Sequence, residues 1–421
     1  MHVVLIQPEL DQPEHFCPPL GLGYLASVLL EDGHEVSIID MDVEALNTAE
    51  VLPRLGRLSP DMVGITSTAA NAAAARRLGS ALEKDLLVVH GGPEPTVATE
   101  DYLYANPRSL VLRGEGEQGL SQLVERVGNR QPLADIAGLS YLTASGVHHG
   151  GPAVVESDLN RLPHPARHLY RMDLYQATID QEPATSIMGS RSCPFRCLFC
   201  HDGASRGLYR RRGPREVVDE LESVVREFGL RAFYFYDCTL TVETAWVDEL
   251  CAEIEARRLD IIWQCMSRAG NLPLPTLKRM RQSGCVRIAV GAESGSERSL
   301  RLMAKGIRRE QIEAFFANLK AAGIVTRMYL IIGFPWETEV DFRATLALAQ
   351  RLNPDEVAVS FATPFRGTRL FQLVKEQHPV EIFHDYRVMR EPAYVSAGFT
   401  VDELAYYKQE LLKTGRLHTA G

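Results

Sequence analysis

The chain has 421 residues and a mass of 46.8 kDa, a length that predicts two or three domains. Apolar residues make up 45% and charged residues 24%, a globular composition that excludes disordered, collagen-like and disulfide-dense classes. The net charge of −9 argues against a broad nucleic-acid surface. No apolar run has transmembrane length and Met1–Pro8 lacks signal-peptide features. We therefore expect a cytoplasmic protein without nucleic-acid or membrane partners.

In the first part of the chain, short β-branched runs alternate with helical patterns. The predicted strands are Val3–Ile6, Glu35–Ile39, Met62–Thr66, Leu86–His90 and Ser109–Leu112, and the predicted helices lie near Gly23–Leu30, Val51–Leu58, Ala69–Leu82 and Gly119–Val127. Continuous apolar strands separated by amphipathic helices are typical of a parallel sheet covered on both faces. Residues 1–130 are therefore predicted to form a doubly wound, Rossmann-like α/β domain.

Several loops at the carboxyl edge of this predicted sheet contain residues that suggest a ligand crevice. They are Gln7–Pro8, Thr66–Ser67, Gly91–Pro93 and Gly114–Glu117. For any single loop, a tight turn is the simpler explanation of glycine, whereas four such loops on one edge favour a binding site. No G-x-G-x-x-G follows the first strand, which argues against a dinucleotide site.

Residues 131–183 are predicted to be a connector. Short strand-like pieces at Leu139–Leu142 and Val147 predict a small hairpin, and Leu162–Pro165, which cannot be helix or central strand, predicts an extended linker. Strand and helix patterns then alternate again over residues 184–370. Strands are predicted at Thr185–Met188, Arg231–Tyr236, Ile262–Cys265, Val286–Val290, Val325–Ile331 and Glu356–Phe361, with helices near Arg215–Phe228, Thr244–Arg257, Leu274–Ser283, Glu310–Ala322 and Glu339–Leu352. Six such units predict a partial (β/α)6 barrel. A small helical region, including a helix near Val401–Arg416, is predicted over residues 371–421.

The loop after the first strand of this second block contains three cysteines within eight residues. Cys193, Cys197 and Cys200 have the spacing C-x3-C-x2-C, on a loop at the catalytic edge of a barrel. Three thiolates this close suit an iron–sulfur cluster with one open iron position. The alternative is zinc with His201 as a fourth ligand, although no second ligand pair follows at a usable spacing.

The cysteine spacing, with Phe199 before the last cysteine, resembles the signature of the radical S-adenosylmethionine (SAM) superfamily. Five further segments resemble motifs of the same family at or after strand ends: Tyr236-Asp237, Ser267-Arg268, Gly291–Gly295, Ile332–Thr338 and Thr363–Thr368. The resemblance implies a [4Fe–4S] cluster on Cys193, Cys197 and Cys200. It also implies SAM contacts from Phe199, Asp237, Ser267, Arg268, Glu293, Ser294 and Ile332.

The first block contains Pro18–Leu22, Gly91-Gly92-Pro93-x-x-Thr96 and Gly114–Glu117. These motifs resemble the cobalamin-binding domain that precedes one large class of radical SAM enzymes. The resemblance implies cobalamin contacts from Pro8, Leu20, Gly21, Thr66, Ser67, Gly91, Gly92, Thr96, Gly114, Glu115 and Gly116. The D-x-H-x-x-G motif that supplies an axial histidine is missing from the sequence, which implies base-off cobalamin without a histidine ligand. His90 is interpreted as a strand-end residue rather than a cobalt ligand.

The remaining cysteines receive other interpretations. Cys251, Cys265 and Cys285 are predicted to be buried packing residues. Cys17 stands alone in the first block, which argues against the three-cysteine N-terminal domain of methylthiotransferases. Cys238 follows Asp237 where relatives often carry a second acidic residue, and both a packing and a substrate-facing role stay open.

The resemblance implies a cobalamin-dependent radical SAM methyltransferase that methylates an unactivated carbon, or phosphorus, of a small-molecule or peptide precursor. An external one-electron reductant such as flavodoxin or ferredoxin is implied, and we expect a monomer. One alternative is a cyclase or rearrangement enzyme that uses the same cofactors without net methyl transfer. A non-enzymatic cobalamin or cluster sensor is the other alternative, although the sequence contains no recognisable helix-turn-helix or basic stripe for its output.

Overall fold

A computed structural model describes residues 1–10, 17–82, 85–201, 207–270, 272–376, 391–396 and 398–416. The chain divides into two compact units, the first extending to Ala177 and the second beginning at Thr178. Among the described residues, no helix has both the length and the apolar character needed to cross a membrane.

The first unit contains a seven-stranded sheet. Along the chain, its first six strands alternate with helices. Its strands are β1 (His2–Gln7), β2 (Glu35–Asp40), β3 (Met62–Thr66), β4 (Leu87–Gly91), β5 (Leu110–Leu112), β6 (Leu139–Thr143) and β7 (Gly146–His149). Its helices are α1 (Leu20–Glu31), α2 (Thr48–Leu58), α3 (Ala72–Ala81), α4 (Pro93–Val97), α5 (Thr99–Ala105) and α6 (Glu117–Gly128).

The strand order is β2-β1-β3-β4-β5-β6-β7. The first five strands in this order are parallel, and the β6–β7 hairpin continues the sheet in antiparallel fashion. This arrangement confirms the predicted doubly wound, Rossmann-like architecture. The hairpin predicted in the connector is confirmed as well, and it extends the first sheet.

Strand β1 shows why this sheet needs apolar residues on both faces. Val3 and Leu5 belong to one buried cluster, whereas Val4 and Ile6 belong to another. Because successive side chains of a strand point to opposite faces, the two clusters lie on opposite sides of the sheet. A strand covered on both faces is therefore a continuous apolar run rather than an alternating one.

The second unit contains a curved sheet and a short hairpin. Its strands are β8 (Thr178–Ile179), β9 (Glu182–Ile187), β10 (Ser190–Arg191), β11 (Arg210–Arg211), β12 (Ala232–Phe235), β13 (Ile262–Arg268), β14 (Cys285–Glu293), β15 (Val325–Ile332) and β16 (Glu356–Phe361). Its described helices are α7 (Pro214–Phe228), α8 (Thr244–Ala256), α9 (Leu274–Gln282), α10 (Glu297–Leu302), α11 (Arg309–Ala322), α12 (Glu339–Leu352), α13 (Arg369–Lys375) and α14 (Val401–Leu412).

The large sheet has the order β16-β15-β14-β13-β12-β9-β8. Six strands are parallel, β8 pairs antiparallel with β9, and β16 is at the opposite end of the order from β8 and β9. The sheet is therefore an open half-barrel, which confirms the partial (β/α)6 prediction. Helix α14 confirms a helix within the predicted C-terminal region, while residues 377–390 and 417–421 of that region lie outside the described residues.

Alternate residues of each barrel strand point toward the outer helices or toward the inside of the barrel. Trp263, Ile288, Met328 and Val357 belong to the main buried cluster, together with residues of the helices. The residues between them, such as Arg268, point to the concave side, because side chains alternate along a strand. Strands β13 and β14 end in the charged residues Arg268 and Glu293, whereas β9, β12, β15 and β16 end in apolar core residues.

Candidate active site

The three cysteines lie on a loop that begins at the carboxyl end of β9. Strand β10 in this loop pairs with β11 before the chain enters α7. Ser192 has a left-handed backbone with φ of 65°, which turns the chain immediately before Cys193. Cys193, Cys197 and Cys200 are partly exposed and form no disulfide, and the Cys200 amide donates a hydrogen bond to the Cys197 carbonyl at 3.1 Å. The loop therefore keeps all three thiols on a short, ordered turn.

Leu198 anchors the middle of this loop to the barrel. Its side chain is buried, its amide donates to the Met303 carbonyl at 2.9 Å, and its carbonyl accepts from the Leu370 amide at 3.1 Å. The neighbouring ring of Phe199 packs edge-on against Phe334, with 5.7 Å between the ring centroids. Apolar packing and two backbone hydrogen bonds thus fix the residues between Cys197 and Cys200.

Asp237 holds the beginning of the same loop. Its carboxylate accepts a hydrogen bond from the Gly189 amide at 3.0 Å and another from the Ser190 hydroxyl. Burial raises the pKa of Asp237 to about 6, an effect that these hydrogen bonds oppose. The structure thus gives Asp237 a role in loop positioning, while its contact with SAM stays a prediction.

Two side chains from neighbouring strand ends approach the cysteine sulfurs. An Arg268 guanidinium nitrogen lies 3.9 Å from Cys197 Sγ, and Thr239 Oγ1 lies 3.8 Å from Cys193 Sγ. The Arg268 guanidinium also stacks on the Phe195 ring, 4.0 Å from its centroid. Donors beside thiolate sulfurs suit an iron–sulfur cluster, whose potential depends on such hydrogen bonds.

The donor set fits the cluster that the sequence predicts. Within the described ranges, no three His, Cys, Asp or Glu side chains converge as the ligands of a single metal ion. A four-iron cluster does not need such convergence, because each thiolate binds a different iron. Three cysteines outside any disulfide on one anchored turn, with the Arg268 donor adjacent, are therefore a suitable cradle.

Glu293 ends β14 in a distorted backbone. Its φ is 63°, and the pairing of β14 with β15 shifts register between Gly291 and Glu293. The Glu293 carboxylate accepts a hydrogen bond from Lys305 Nζ at 2.7 Å, and both side chains are largely buried. A left-handed glutamate in a β-bulge is an uncommon conformation that the surrounding contacts must maintain.

The residues after Glu293 are fixed by α12. The Thr345 hydroxyl lies 3.0 Å from the Ser294 hydroxyl and accepts from the Gly295 amide at 3.0 Å. The Asp341 carboxylate accepts from the Ser296 hydroxyl at 2.5 Å. Two adjacent motifs of the sequence are thereby connected, because Asp341 also accepts from the amide and hydroxyl of Thr338.

Glu337 organises the loop that follows β15. Its buried carboxylate accepts from the Gly333 amide at 2.7 Å, the Phe334 amide at 3.1 Å and the Ser299 hydroxyl at 3.1 Å. Burial raises the pKa of Glu337 to about 7, against the effect of these hydrogen bonds. The acidic residue of this motif therefore shapes the loop from within.

Two other predicted SAM contacts have clear structural positions. The Ser267 hydroxyl is buried and lies 2.7 Å from the Thr241 hydroxyl, while it also donates to the Arg268 carbonyl. The Ile332 side chain lies in the hydrophobic core, and its carbonyl accepts from the Ala362 amide. Cys238 is partly exposed, and its carbonyl accepts from the Thr239 hydroxyl at 2.7 Å.

In the first unit, the predicted cobalamin residues after β1, β3, β4 and β5 come together. The Ser67 amide donates to the Gly91 carbonyl at 2.9 Å, and Asn71 Nδ2 reaches the Pro8 carbonyl at 3.5 Å. The Thr96 hydroxyl donates to the Gly92 carbonyl at 2.8 Å and accepts from the Gly114 amide at 2.9 Å. Thr66 ends β3, Leu20 and Gly21 begin α1, and Glu115 and Gly116 immediately precede α6.

Gly92 occupies a position in these loops that has no room for a side chain. Its φ is 101°, and a Cβ atom there would lie 2.7 Å from the Ser67 carbonyl oxygen. The backbone after β4 therefore packs closely against the backbone of Ser67. The donor set and the glycine backbone fit the cobalamin site that the sequence predicts.

Tyr102 and His90 lie beneath these loops. The Tyr102 hydroxyl is 2.7 Å from the Ser67 hydroxyl, and its ring lies 5.0 Å from the His90 ring. His90 is 1% exposed, and a Cβ atom on Gly79 would meet its ring at 2.6 Å. These contacts place His90 in the interior, as the sequence interpretation requires.

Residue patterns alone did not identify Lys305, Thr239, Met303, Asp341 and Tyr102. Each contacts a predicted site residue or a neighbour of one in the same loop or motif, as Lys305 contacts Glu293 and Met303 contacts Leu198. The burial of Lys305 is visible only in the fold, so no signal in the sequence identified it as a partner of Glu293.

Comparisons with known proteins agree with both units. Residues 10–124 match the B12 binding domain and residues 187–349 match the radical SAM superfamily. The chain is 33% identical to an uncharacterized methyltransferase of Pyrococcus horikoshii, over 84% of this chain and 78% of that protein. It is 30% identical to the anaerobic magnesium-protoporphyrin IX monomethyl ester cyclase of Rubrivivax gelatinosus, over 88% of this chain and 68% of that protein.

Among solved structures, the radical SAM methyltransferase TsrM from Kitasatospora setae, with cobalamin and a [4Fe–4S] cluster bound, shares the fold. The TM-score is 0.77 at 21% identity, over 89% of this chain and 78% of that chain. The cobalamin-dependent radical SAM enzyme OxsB matches with a TM-score of 0.74 at 21% identity, over 91% of this chain and 56% of that chain.

Proposed function

Because the chain belongs to the radical SAM enzymes that carry a B12-binding domain, we propose that it is a cobalamin-dependent methyltransferase. Its acceptor would be an unactivated carbon, or phosphorus, of a small-molecule or peptide precursor. The observation that carries this proposal is the match to a protein named as a methyltransferase, which spans 84% of the chain.

Cys193, Cys197 and Cys200 would hold three irons of a [4Fe–4S] cluster and leave the fourth iron for SAM. When bound, the cluster supplies the electron that cleaves SAM, and cobalamin carries the methyl group. Arg268 would donate a hydrogen bond toward Cys197 Sγ and stabilise its negative charge, whereas the Thr239 hydroxyl, which donates to the Cys238 carbonyl, would lie beside Cys193 Sγ. Asp237 and Leu198 would keep the loop in one conformation by the contacts described above.

For SAM, we propose contacts from Phe199, Asp237, Ser267, Arg268, Glu293, Ser294 and Ile332. Glu293 is the strongest of these on structural grounds, since its conformation is strained and restrained at the end of a barrel strand. The Phe199, Phe334 and Trp336 rings pack together and would limit access of water to this region.

For cobalamin, we propose contacts from the loops that contain Pro8, Ser67, Gly91–Gly92 and Gly114–Gly116, with no histidine bound to cobalt. Thr96 would brace two of these loops, since its hydroxyl bridges Gly92 and Gly114. We further propose a cytoplasmic monomer that receives electrons from a flavodoxin or ferredoxin.

The decisive test is turnover with SAM that carries a deuterated methyl group. The protein would be reconstituted anaerobically with iron, sulfide and hydroxocobalamin and assayed against metabolites of neighbouring genes. We expect a product that contains the intact labelled methyl group, with S-adenosylhomocysteine as a co-product. Cys197→Ala is the matched negative control, because it removes one predicted cluster ligand.

A cyclase is the second candidate, because a named cyclase is 30% identical over 88% of this chain. The same experiment separates the two functions. Formation of 5′-deoxyadenosine with a product lacking the label would support cyclisation or rearrangement and contradict methyl transfer. Absence of any SAM cleavage by fully reconstituted protein would contradict both enzymes and favour a sensor.

A further inference from the structure

The turn between α10 and α11, residues Met303–Gly306, contacts three separate parts of the candidate active site. The Met303 carbonyl accepts from the Leu198 amide of the cysteine loop. Lys305 Nζ binds the Glu293 carboxylate at 2.7 Å. Gly306 lies beside the Arg268 guanidinium, since a Cβ atom on it would be 3.2 Å from an Arg268 terminal nitrogen. One four-residue turn therefore contacts the loop and both charged side chains.

The backbone of this turn is well fixed. The Ala304 amide donates to the Arg301 carbonyl at 3.0 Å, and the Lys305 amide donates to the Leu300 carbonyl at 3.1 Å. Ala304 and Gly306 both have left-handed backbones, with φ of 53° and 64°. Met303 is fully buried among residues that include Leu198 and Phe334. Lys305 thus extends from a rigid base rather than from a surface loop.

Lys305 is an unusual residue to find in this position. Its side chain is 8% exposed, and the Glu293 side chain is 9% exposed. Lysine is rarely buried without a carboxylate partner, because desolvating an ammonium group is costly. Only one Glu293 oxygen receives the lysine hydrogen bond, and within the described residues no protein donor reaches the other. That second oxygen remains available to a ligand.

From these contacts we infer that Lys305 is a positioning residue for SAM binding. It holds one oxygen of Glu293 so that the other is directed toward the bound molecule, and its turn fixes Glu293 relative to the cysteine loop. The inference rests on the proposed function, because it takes SAM as the ligand. It extends that function by assigning a role to a residue outside the motifs.

The geometry of Glu293 supports a positioning role rather than simple packing. The left-handed conformation of a non-glycine residue and the register shift in β14 both cost free energy. An ion pair that only neutralised two buried charges would not require a left-handed backbone at Glu293. Strain with restraints on both backbone and side chain is typical of a binding residue.

The test is SAM affinity in the reconstituted protein, measured from the change in the electron paramagnetic resonance spectrum of the reduced cluster as SAM is added. For Lys305→Met, which keeps the length but not the charge, we expect the Kd for SAM to rise by about tenfold or more. Hydroxocobalamin affinity, measured by absorbance, should stay unchanged. Lys305→Arg should recover most of the lost SAM affinity, since it restores a cationic donor.

Arg257→Met is the matched control for loss of a charged partner. Arg257 forms ion pairs with Asp219, Glu222 and Glu253 on the outer helices. We expect its Kd for SAM to equal that of the wild type. Should Lys305→Met not yield folded protein, Lys305→Gln replaces it, because glutamine keeps a donor without the charge.

A Kd for SAM within twofold of the wild type in Lys305→Met would overturn the inference. So would a loss of affinity accompanied by an equal loss of cobalamin binding and no recovery in Lys305→Arg, since that pattern means general structural damage. If SAM left the spectrum of the wild-type cluster unchanged, the proposed function itself would fail. The two failures are therefore distinguishable.

Discussion

His90 is a buried histidine whose surroundings oppose its positive charge. It lies in β4, and its Nδ1 atom has no hydrogen-bond partner within the described part of the chain. Burial, helped by the positive charge of Arg76, lowers the pKa of His90 to about 4. In the unfolded chain the histidine would titrate at its ordinary pKa of about 6.5. Its contribution to stability is therefore present above pH 6.5 and is lost as the pH falls toward 4.

We predict that His90→Gln removes this pH dependence. Each unit of pKa difference corresponds to about 1.4 kcal/mol, so the wild type should lose on the order of 3 kcal/mol relative to the variant between pH 6.5 and pH 4. Glutamine does not titrate, whereas its packing cost is the same at every pH. The free energy of unfolding of both proteins, measured from pH 7.5 to pH 4, checks the prediction.

When the free energy of unfolding of His90→Gln is subtracted from that of the wild type, the contributions of the other titrating groups cancel. Asp237 and Glu337 have raised pKa values and act in the opposite direction, since they favour the folded state at low pH. A constant difference between wild type and His90→Gln over this pH range would contradict the burial of a neutral imidazole.

For single residues, the sequence predicted which side chains belong to a motif better than it predicted which residues they contact. Cys193, Cys197 and Cys200 were predicted to be cluster ligands from their spacing, because they lie on one short segment of the chain. Asp237 was recognised as a motif residue, yet its bonds to Gly189 and Ser190 connect positions nearly fifty residues apart. Spacing along the chain contains no information about such a contact.

Helix α3 illustrates how an element depends on what it packs against. Gly79 lies in this helix, and a Cβ atom there would meet the His90 ring at 2.6 Å. Gly56 lies in α2, where a Cβ atom would have no neighbour within 4 Å. The two glycines share a helical backbone and differ only in available space.

We predict opposite effects for the two alanine variants. Gly56→Ala should stabilise the protein by about 0.5–1 kcal/mol, because alanine has the higher helix propensity. Gly79→Ala should destabilise it by about 1–3 kcal/mol, because the added methyl group displaces a packed ring. Thermal unfolding measures both, and an increase in melting temperature for Gly79→Ala would show that α3 can move away from β4.

Among the elements, strands and long helices were predicted well and short helices were missed. Strand β16 and helix α12 match their predicted bounds, because an apolar run and an amphipathic period are strong local signals. Helices α4 and α5 were not predicted, since the segment after β4 was interpreted as a glycine turn or a ligand loop. Pro93 in fact begins α4, where a missing amide donor is harmless. Helix α10 has six residues, too few to show a period.

For the whole molecule, the residues predicted to bind each cofactor belong to one unit, and each unit has its own buried core residues. We predict that the sites can be disabled separately. Cys197→Ala should lose the broad brown absorbance of the cluster and retain the wild-type Kd for hydroxocobalamin. Gly92→Ala should raise the Kd for hydroxocobalamin by about tenfold or more and retain the iron content, because its Cβ would press on Ser67.

Gly56→Ala, in the same unit as Gly92 and away from the predicted cobalamin loops, is the control for both measurements. Its iron content and cobalamin affinity should equal those of the wild type. Loss of cobalamin binding in Cys197→Ala would mean that the units do not function independently.

The distribution of the cysteines determines how air should damage this protein. Cys251, Cys265 and Cys285 are buried in the main hydrophobic core of the second unit. Burial raises the pKa of the Cys251 thiol to about 12 and that of the Cys285 thiol far above its usual range. A protonated, inaccessible thiol does not react with oxidants or exchange disulfides. Oxidation is therefore confined to the partly exposed cysteines, among them the three of the cluster loop. Air would remove the cluster without scrambling the core, so a mild thiol reductant, without refolding, should restore a protein ready to accept iron again.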